Sequence, residues 1–235
     1  MNRFVDLSQE IYTKQPVYHT HADTVIWTDT SHEDAEHLFR EQLDGDDPPF
    51  TFESSVIQMC DHGPTHVDAI RHLKPGGTPI DEMALDSFYG PGKAIDVSHR
   101  EPGEYITVAD LDAACEDQGI TVQEGDVLLI RTGHYDETYP TRSYVENYPG
   151  LNEEATRWLV EKGVKNFGVD QPSPDTPEDI TYPCHTLCKE HELPHIENLR
   201  NIDRVLGETF TYIGFPLNIR DGTGSPIRAI AQLEN

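Results

Sequence analysis

The feature that most restricts the fold of this chain is a strand–helix–strand pattern within residues 126–169. Asp126–Thr132 (Asp-Val-Leu-Leu-Ile-Arg-Thr) is a continuous apolar run bounded by turn residues, and it reads as a buried strand. Asn152–Glu161 follows, with Ala155, Leu159 and Val160 on or near one face and Gly163 as a stop. That is the pattern of an amphipathic helix. Val164–Val169 then supplies the next strand. Strand, helix, strand in this order predicts a βαβ unit, and with it a mixed α/β domain whose sheet is partly parallel.

The remaining segments are compatible with that frame. Phe50–Met59 alternates and is strand-like, and Lys93–Ser98 contains the short strand Ala94-Ile95-Asp96-Val97. Thr107-Val108-Ala109-Asp110 is an N-cap followed by an acidic N3 residue, a variant of the capping box. It opens a helix through Leu111, Ala114 and Cys115 that Gly119 ends. Residues Thr28–Pro49 are the most polar stretch. They predict a short helix around Glu33–Gln42, stopped by Gly45 and the prolines that follow. This reads as an excursion from the domain, a lid or interface segment rather than a linker. Neither a repeat nor a shift in composition divides the chain, so residues 1–235 read as one domain.

Charge removes several function classes. With 17 Lys+Arg against 43 Asp+Glu, the net charge is −26. Neutralising phosphates needs cations, so a generic nucleic-acid binder is excluded, and so is a polybasic membrane-surface protein. Only 6 of the 17 cations are Lys. A surface of this kind suits a salty interior, because a Debye length of roughly 3 Å at 1 M salt removes most of its self-repulsion. The plainer reading is an ordinary acidic cytosolic protein. The four cysteines, Cys60, Cys115, Cys184 and Cys188, contain one C-x3-C pair and no second pair to complete a metal site. They read as small apolar side chains in a reducing compartment. Met1–Asp6 has no apolar signal region, and no run approaches the ~18–20 apolar residues of a membrane span. The expected location is the cytoplasm.

Histidine is clustered. His62, His66 and His72 fall in Asp61-His62-Gly63-Pro64-Thr65-His66-Val67-Asp68-Ala69-Ile70-Arg71-His72. Gly63 and Pro64 disfavour a helix there, so a loop leading into an extended segment is expected. Two residues apart on extended chain, His66 and Asp68 point to the same side. His62 returns to that side through the turn, and His72 has the matching parity further along the same wall. Two imidazoles and a carboxylate on one face are ligand chemistry for Zn²⁺ or Mn²⁺. A second cluster spans His185 to Glu197, and within it His191 and His195 compete as candidates.

These stretches resemble the metal-dependent cyclase family that includes bacterial kynurenine formamidase and isatin hydrolase. That family carries H-x-G-T-H-x-D-x-P-x-H. Here every His, the Thr and the Asp are kept, with Pro64 where the family usually has Gly and Ile70 where it usually has Pro. Val5-Asp6-Leu7-Ser8, Gly168-Val169-Asp170-Gln171-Pro172-Ser173, Ile196-Glu197-Asn198-Leu199, Pro216-Leu217 and Gly222–Ala231 extend the resemblance over nearly the whole chain. It implies a single α/β domain with a mixed, barrel-like sheet core and flanking helices, the swivelling β/β/α type, assembled as a homodimer or homotetramer. It implies that His62, His66 and Asp68 hold one divalent ion, that Asp68 bridges to a second held by His185 and Glu197, and that one or two ions of Zn or Mn are bound per chain. It implies an acid/base role for His72. Trp27, Phe50 and the excursion at 28–49 are candidates for a wall that a neighbouring chain's site would use.

The expected chemistry is hydrolysis of an amide or cyclic amide of a small molecule by metal-activated water, with His72 moving the proton. No G-x-S-x-G elbow is present. Arg71 and Lys74 are candidates to receive a substrate carboxylate, or are solvated surface charges. A metal-dependent dehydratase or cyclase and a non-catalytic metal-binding protein are the alternatives.

Overall fold

The computed structural model describes residues 3–44 and 46–234. Its main sheet has nine strands. In chain order the thirteen strands are β1 (Phe4–Asp6), β2 (Val25–Thr30), β3 (Ser54–Gln58), β4 (His66–Asp68), β5 (Tyr89–Asp96), β6 (Tyr105–Ile106), β7 (Val127–Arg131), β8 (Gly150–Leu151), β9 (Asn166–Val169), β10 (His195–Glu197), β11 (Phe210–Ile213), β12 (Gly224–Pro226) and β13 (Ile230–Leu233). The helices are α1 (His32–Gln42), α2 (Ile70–Leu73), α3 (Val108–Gln118), α4 (His134–Thr138), α5 (Glu153–Glu161) and α6 (Pro183–His191). The order across the sheet is β1-β13-β11-β5-β7-β9-β10-β4-β12.

The apolar run at 127–131 sits at the centre. β7 pairs in parallel with β5 on one side and β9 on the other, as the strand–helix–strand pattern predicts. Its alternation splits between two cores. Val127 and Leu129 join a cluster with Val67, Ile196, Phe210 and Tyr212. Leu128 and Ile130 join one with Leu111, Leu159 and Phe167. Successive strand side chains face opposite ways, so a strand covered on both faces must be apolar throughout. Helices α3, α5 and α6 contribute to the second cluster, while the outer antiparallel strands β1, β11 and β13 contribute to the first. The result is a curled mixed sheet, half of a barrel, with helices on one face.

Local signals behave as expected in α3 and α5. The Thr107–Asp110 capping box is present and Gly119 ends α3 at φ 63°. Asn152 caps α5 by accepting from the Ala155 N–H at 2.8 Å. In the excursion, Ser31 and Asp34 form a capping box for α1, and Leu43 is its C-cap; Gly45, expected to stop this helix, lies outside the described residues. β2 and β3 form a separate two-stranded antiparallel sheet, with α1 in the connection between them. No described helix is long and apolar enough to cross a membrane.

Past the first His motif the chain departs from the expectation of a continuous extended segment. β4 ends at Asp68, Ala69 is an extended N-cap, and α2 makes one helical turn whose Ile70 carbonyl accepts from the Lys74 N–H at 3.1 Å. Parity along a strand therefore does not place His72. The turn does, folding it back over the strand end.

Candidate metal centre

Asp68 is the hub of the site. It lies on β4, between β10 and β12, both antiparallel to it. Glu197 of β10 stands directly across from His66 of β4. His66 and Asp68 share one face of their strand, and His195 and Glu197 share one face of theirs, by the two-residue period. The pairing register turns these two local patterns into one cluster.

The other five residues expected from the sequence, His62, His66, His72, His185 and Glu197, gather around Asp68. His62 Nδ1 is 2.7 Å from Asp68 Oδ1, and His66 Nε2 is 3.3 Å from the same oxygen. His72 Nε2 is 3.6 Å and His185 Nε2 4.0 Å from Oδ2. Glu197 Oε2 is 3.3 Å from His66 Nε2, and its Oε1 is 3.9 Å from His185 Nε2. His195, left among competing candidates by sequence, joins the same group at 3.4 Å from both Asp68 Oδ2 and Glu197 Oε1. His191 ends α6 with an exposed side chain and plays no part. The signal that would have found His195 is the alternation His195-Ile196-Glu197 after Pro194, the same argument that pairs His66 with Asp68.

Neighbouring groups fix the rings. His66 Nδ1 donates to the Pro64 carbonyl at 2.9 Å, which turns Nε2 toward the two carboxylates. Only the carbonyl of Pro64 is used, so a Pro in place of the family's Gly leaves this function intact. Ile70 occupies N1 of α2, a position where Pro is welcome but not required. Gly224 of β12 leaves space for His62: a Cβ there would meet His62 Cε1 at 2.8 Å and the Val67 carbonyl at 2.9 Å. His62 Nε2 lies 3.0 Å from Thr223 Oγ1, whose hydroxyl donates to Asp61 at 2.6 Å. Behind His185, the Asp175 carboxylate takes its Nδ1 contact and accepts from the N–H groups of Cys184 and His185 at 2.7 and 3.0 Å.

The electrostatics are those of a buried site with its charges matched. Burial works against a charged His66, yet the Asp68 and Glu197 carboxylates outweigh it and hold its pKa up at about 10. Burial likewise works against ionised Glu197, but contacts with His195 and His66 lower it to about 2. Asp68 is held well below the usual carboxylate range, against its burial, by the surrounding imidazoles. His72 differs. Its burial lowers its pKa and the Asp68 charge only partly offsets this, so it stands neutral at pH 7 with 37% of its side chain exposed.

The donor set suits a divalent cation. The Nε2 atoms of His66 and His195 are buried with no partner in hydrogen-bonding geometry, a costly arrangement unless something else satisfies them. Imidazole and carboxylate together are borderline ligands of the kind zinc and manganese take. The site floors a cavity of about 390 Å³ whose wall includes Tyr18, His21, Tyr148, Pro172, Tyr182 and Lys189. Lys189 was not anticipated. Arg71 and Lys74 instead pair with Asp221 at 3.3 Å and Glu192 at 2.7 Å. Trp27 and Phe50 are exposed and line no part of this cavity within one chain.

Residues 5–176 match the profile of a family described as "Putative cyclase". The kynurenine formamidase of Bacillus cereus is 28% identical over 196 residues, covering 78% of this chain and 88% of that protein. That of Bacillus cytotoxicus is 29% identical with the same coverage. Among solved structures, isatin hydrolase A from Ralstonia solanacearum superposes with a TM-score of 0.82 at 26% identity, covering 98% of this chain and 92% of that one.

Proposed function

The chain belongs to the cyclase family, and from that premise we propose that it is a metal-dependent hydrolase of a non-peptide C–N bond, acting on a small amide or cyclic amide. The similarity to kynurenine formamidases and to an isatin hydrolase supports the class of reaction. The observation that carries it for this chain is the convergence of His62, His66, Asp68, His185 and Glu197 on one floor, with neutral His72 at the edge of the cavity above.

In this reading His62, His66 and Asp68 would hold one divalent ion, and Asp68, His185 and Glu197 would hold a second. An ion there would supply acidification of water and polarisation of a carbonyl oxygen. The residues do the rest. His72 Nε2 accepts the proton of the attacking water and, once charged, donates it to the leaving nitrogen. Asp68, 3.6 Å from it, stabilises the imidazolium that forms between those steps. Tyr18, Tyr148, Pro172 and Tyr182 offer a mainly apolar wall against which a flat ring packs and excludes water. Lys189 on the same wall suits a substrate bearing a negative group.

Zinc and manganese both fit the donors. The same reading has the protein working in the cytoplasm, as a homodimer or homotetramer, on a small-molecule substrate and without nucleic acid or membrane. The test is direct. Chelator-stripped protein is supplied with Zn²⁺ or Mn²⁺, and formanilides and isatins are followed optically. Metal-dependent turnover is expected. Metal uptake with no turnover of any amide, lactam or lactone would sink the hydrolase assignment.

A further inference from the structure

His195 has no role in the ligand set above, yet its surroundings are those of a ligand. Its side chain is fully buried. Nε2 sits 3.4 Å from Asp68 Oδ2 and 3.4 Å from Glu197 Oε1. His185 Nε2 stands 4.0 and 3.9 Å from the same two oxygens, and the four donor atoms all lie within 4.8 Å of one another. Charge-assisted N–H···O bonds are about 2.7–2.9 Å long, so these spacings are too wide for shared protons. Tetrahedral donors around a zinc-sized ion, with bonds of about 2.0–2.1 Å, stand about 3.3–3.4 Å apart.

The ring is also held in place. The backbone of β10 is paired on both sides, to β9 and to β4. The imidazole stacks on Phe167 at 5.7 Å and meets His185 edge-on at 4.7 Å. Asp68 divides its oxygens between two groups of partners. Oδ1 faces His62 and His66, and Oδ2 faces His195, His72 and His185.

We propose that His195 is a fourth protein donor, completing a closed site with Asp68, His185 and Glu197 that retains its ion, while the ion at His62, His66 and Asp68 exchanges. This rests on the metal-dependent reading above and goes beyond it by making the two positions unequal. Four protein donors with no open place are the hallmark of a structural ion, whereas a catalytic ion keeps a position for water or substrate. His195 is absent from the cavity lining, as is His66, whereas His185 and Glu197 reach it; the two positions differ in their number of protein donors.

The experiment uses the full chain as wild type, His195→Phe and His195→Asn. Phe keeps the packing on Phe167, and Asn keeps a polar group; circular dichroism and melting confirm that each folds. Each protein is stripped, loaded with Zn²⁺, dialysed against a weak chelator and assayed for bound metal, with affinities from competition against a chromogenic chelator. Wild type is expected to keep one ion per chain and lose the other. The variants are expected to lose the retained ion, with its affinity falling by at least the ~10–100-fold that loss of an outer-shell partner alone costs. In Co²⁺-loaded protein, the visible band of the retained ion should change in both variants. A folded variant that keeps one ion with wild-type affinity and an unchanged cobalt spectrum overturns the role of His195 and leaves the hydrolase reading standing. Wild type that takes up neither Zn²⁺ nor Co²⁺ overturns both.

Discussion

Asp175 grips His185 from behind. Its carboxylate meets His185 Nδ1 and accepts the backbone N–H groups of Cys184 and His185 at 2.7 and 3.0 Å. The imidazole is thereby presented with Nε2 toward Asp68 and Glu197. Such outer partners fix ring orientation and raise ligand basicity. Asp175→Ala is therefore expected to weaken zinc binding about 10–100-fold while the chain stays folded. Chelator competition measures this, and an unchanged affinity would remove the positioning role.

His72 makes the opposite demand on its site: it must exchange protons, so it is neutral and part exposed. His72→Ala should lower kcat by about 10²–10⁴, the usual worth of a positioned acid/base. Bound metal per chain should stay as in wild type. Losing metal and activity together would recast His72 as a ligand.

Gly224→Ala tests the space beside His62. The added Cβ would lie 2.8 Å from His62 Cε1 and 2.9 Å from a backbone oxygen, so the ring or the strand beside it must shift and the ligand geometry with it. Reduced metal occupancy with little loss of helical signal is the expected result, read by elemental analysis and circular dichroism.

Asp110 gives a stability prediction with a definite sign. Burial opposes its charge, but the Arg100 guanidinium, the Thr107 hydroxyl and N–H, and His99 together hold its pKa well below the usual carboxylate value. A depressed carboxylate contributes stability above its unfolded pKa of about 3.9 and loses it as pH falls toward the folded value. Asp110→Asn should cost about 1–2 kcal/mol near neutral pH, as for a lost cap. Urea melts should show the gap to wild type narrowing below about pH 4. A gap independent of pH would show that the charge is not what matters.

The acidic surplus predicts a salt response. Among the described residues only Asp68, Asp110, Asp126, Asp170, Asp175 and Glu197 are buried carboxylates, so most of the 43 acids stand at the surface. Their mutual repulsion is screened as salt shortens the Debye length. Tm should rise from dilute buffer to about 2 M salt, where screening is nearly complete. A flat or falling Tm in differential scanning calorimetry would dispose of the adaptation to salt and leave the enzyme untouched.

The central strand, the helix after it and the Thr107–Asp110 capping box were legible because each rests on residues adjacent in sequence. Val127–Arg131 could hide nowhere but between two covered faces. The first His motif was legible for the same reason. What escaped was long-range pairing. Nothing local says that His66 stands opposite Glu197, and without that register His195 looks no better than His191. His72 was placed by parity on a strand that had already ended at Asp68. The ligand types were right, but the turn that delivers His72 depends on the Thr78 carbonyl capturing the Arg71 N–H.

The pairing of β4 with β10 and β12 also limits how the chain can vary in length. A single residue inserted or deleted between His66 and Asp68, or between His195 and Glu197, would shift one strand past its neighbours and send alternate side chains to the opposite face. Every ligand type would survive such a change and the site would vanish. Spacing in these two short segments is therefore as strictly constrained as residue identity, whereas none of the described residues of the excursion around 28–49 lines the cavity within one chain.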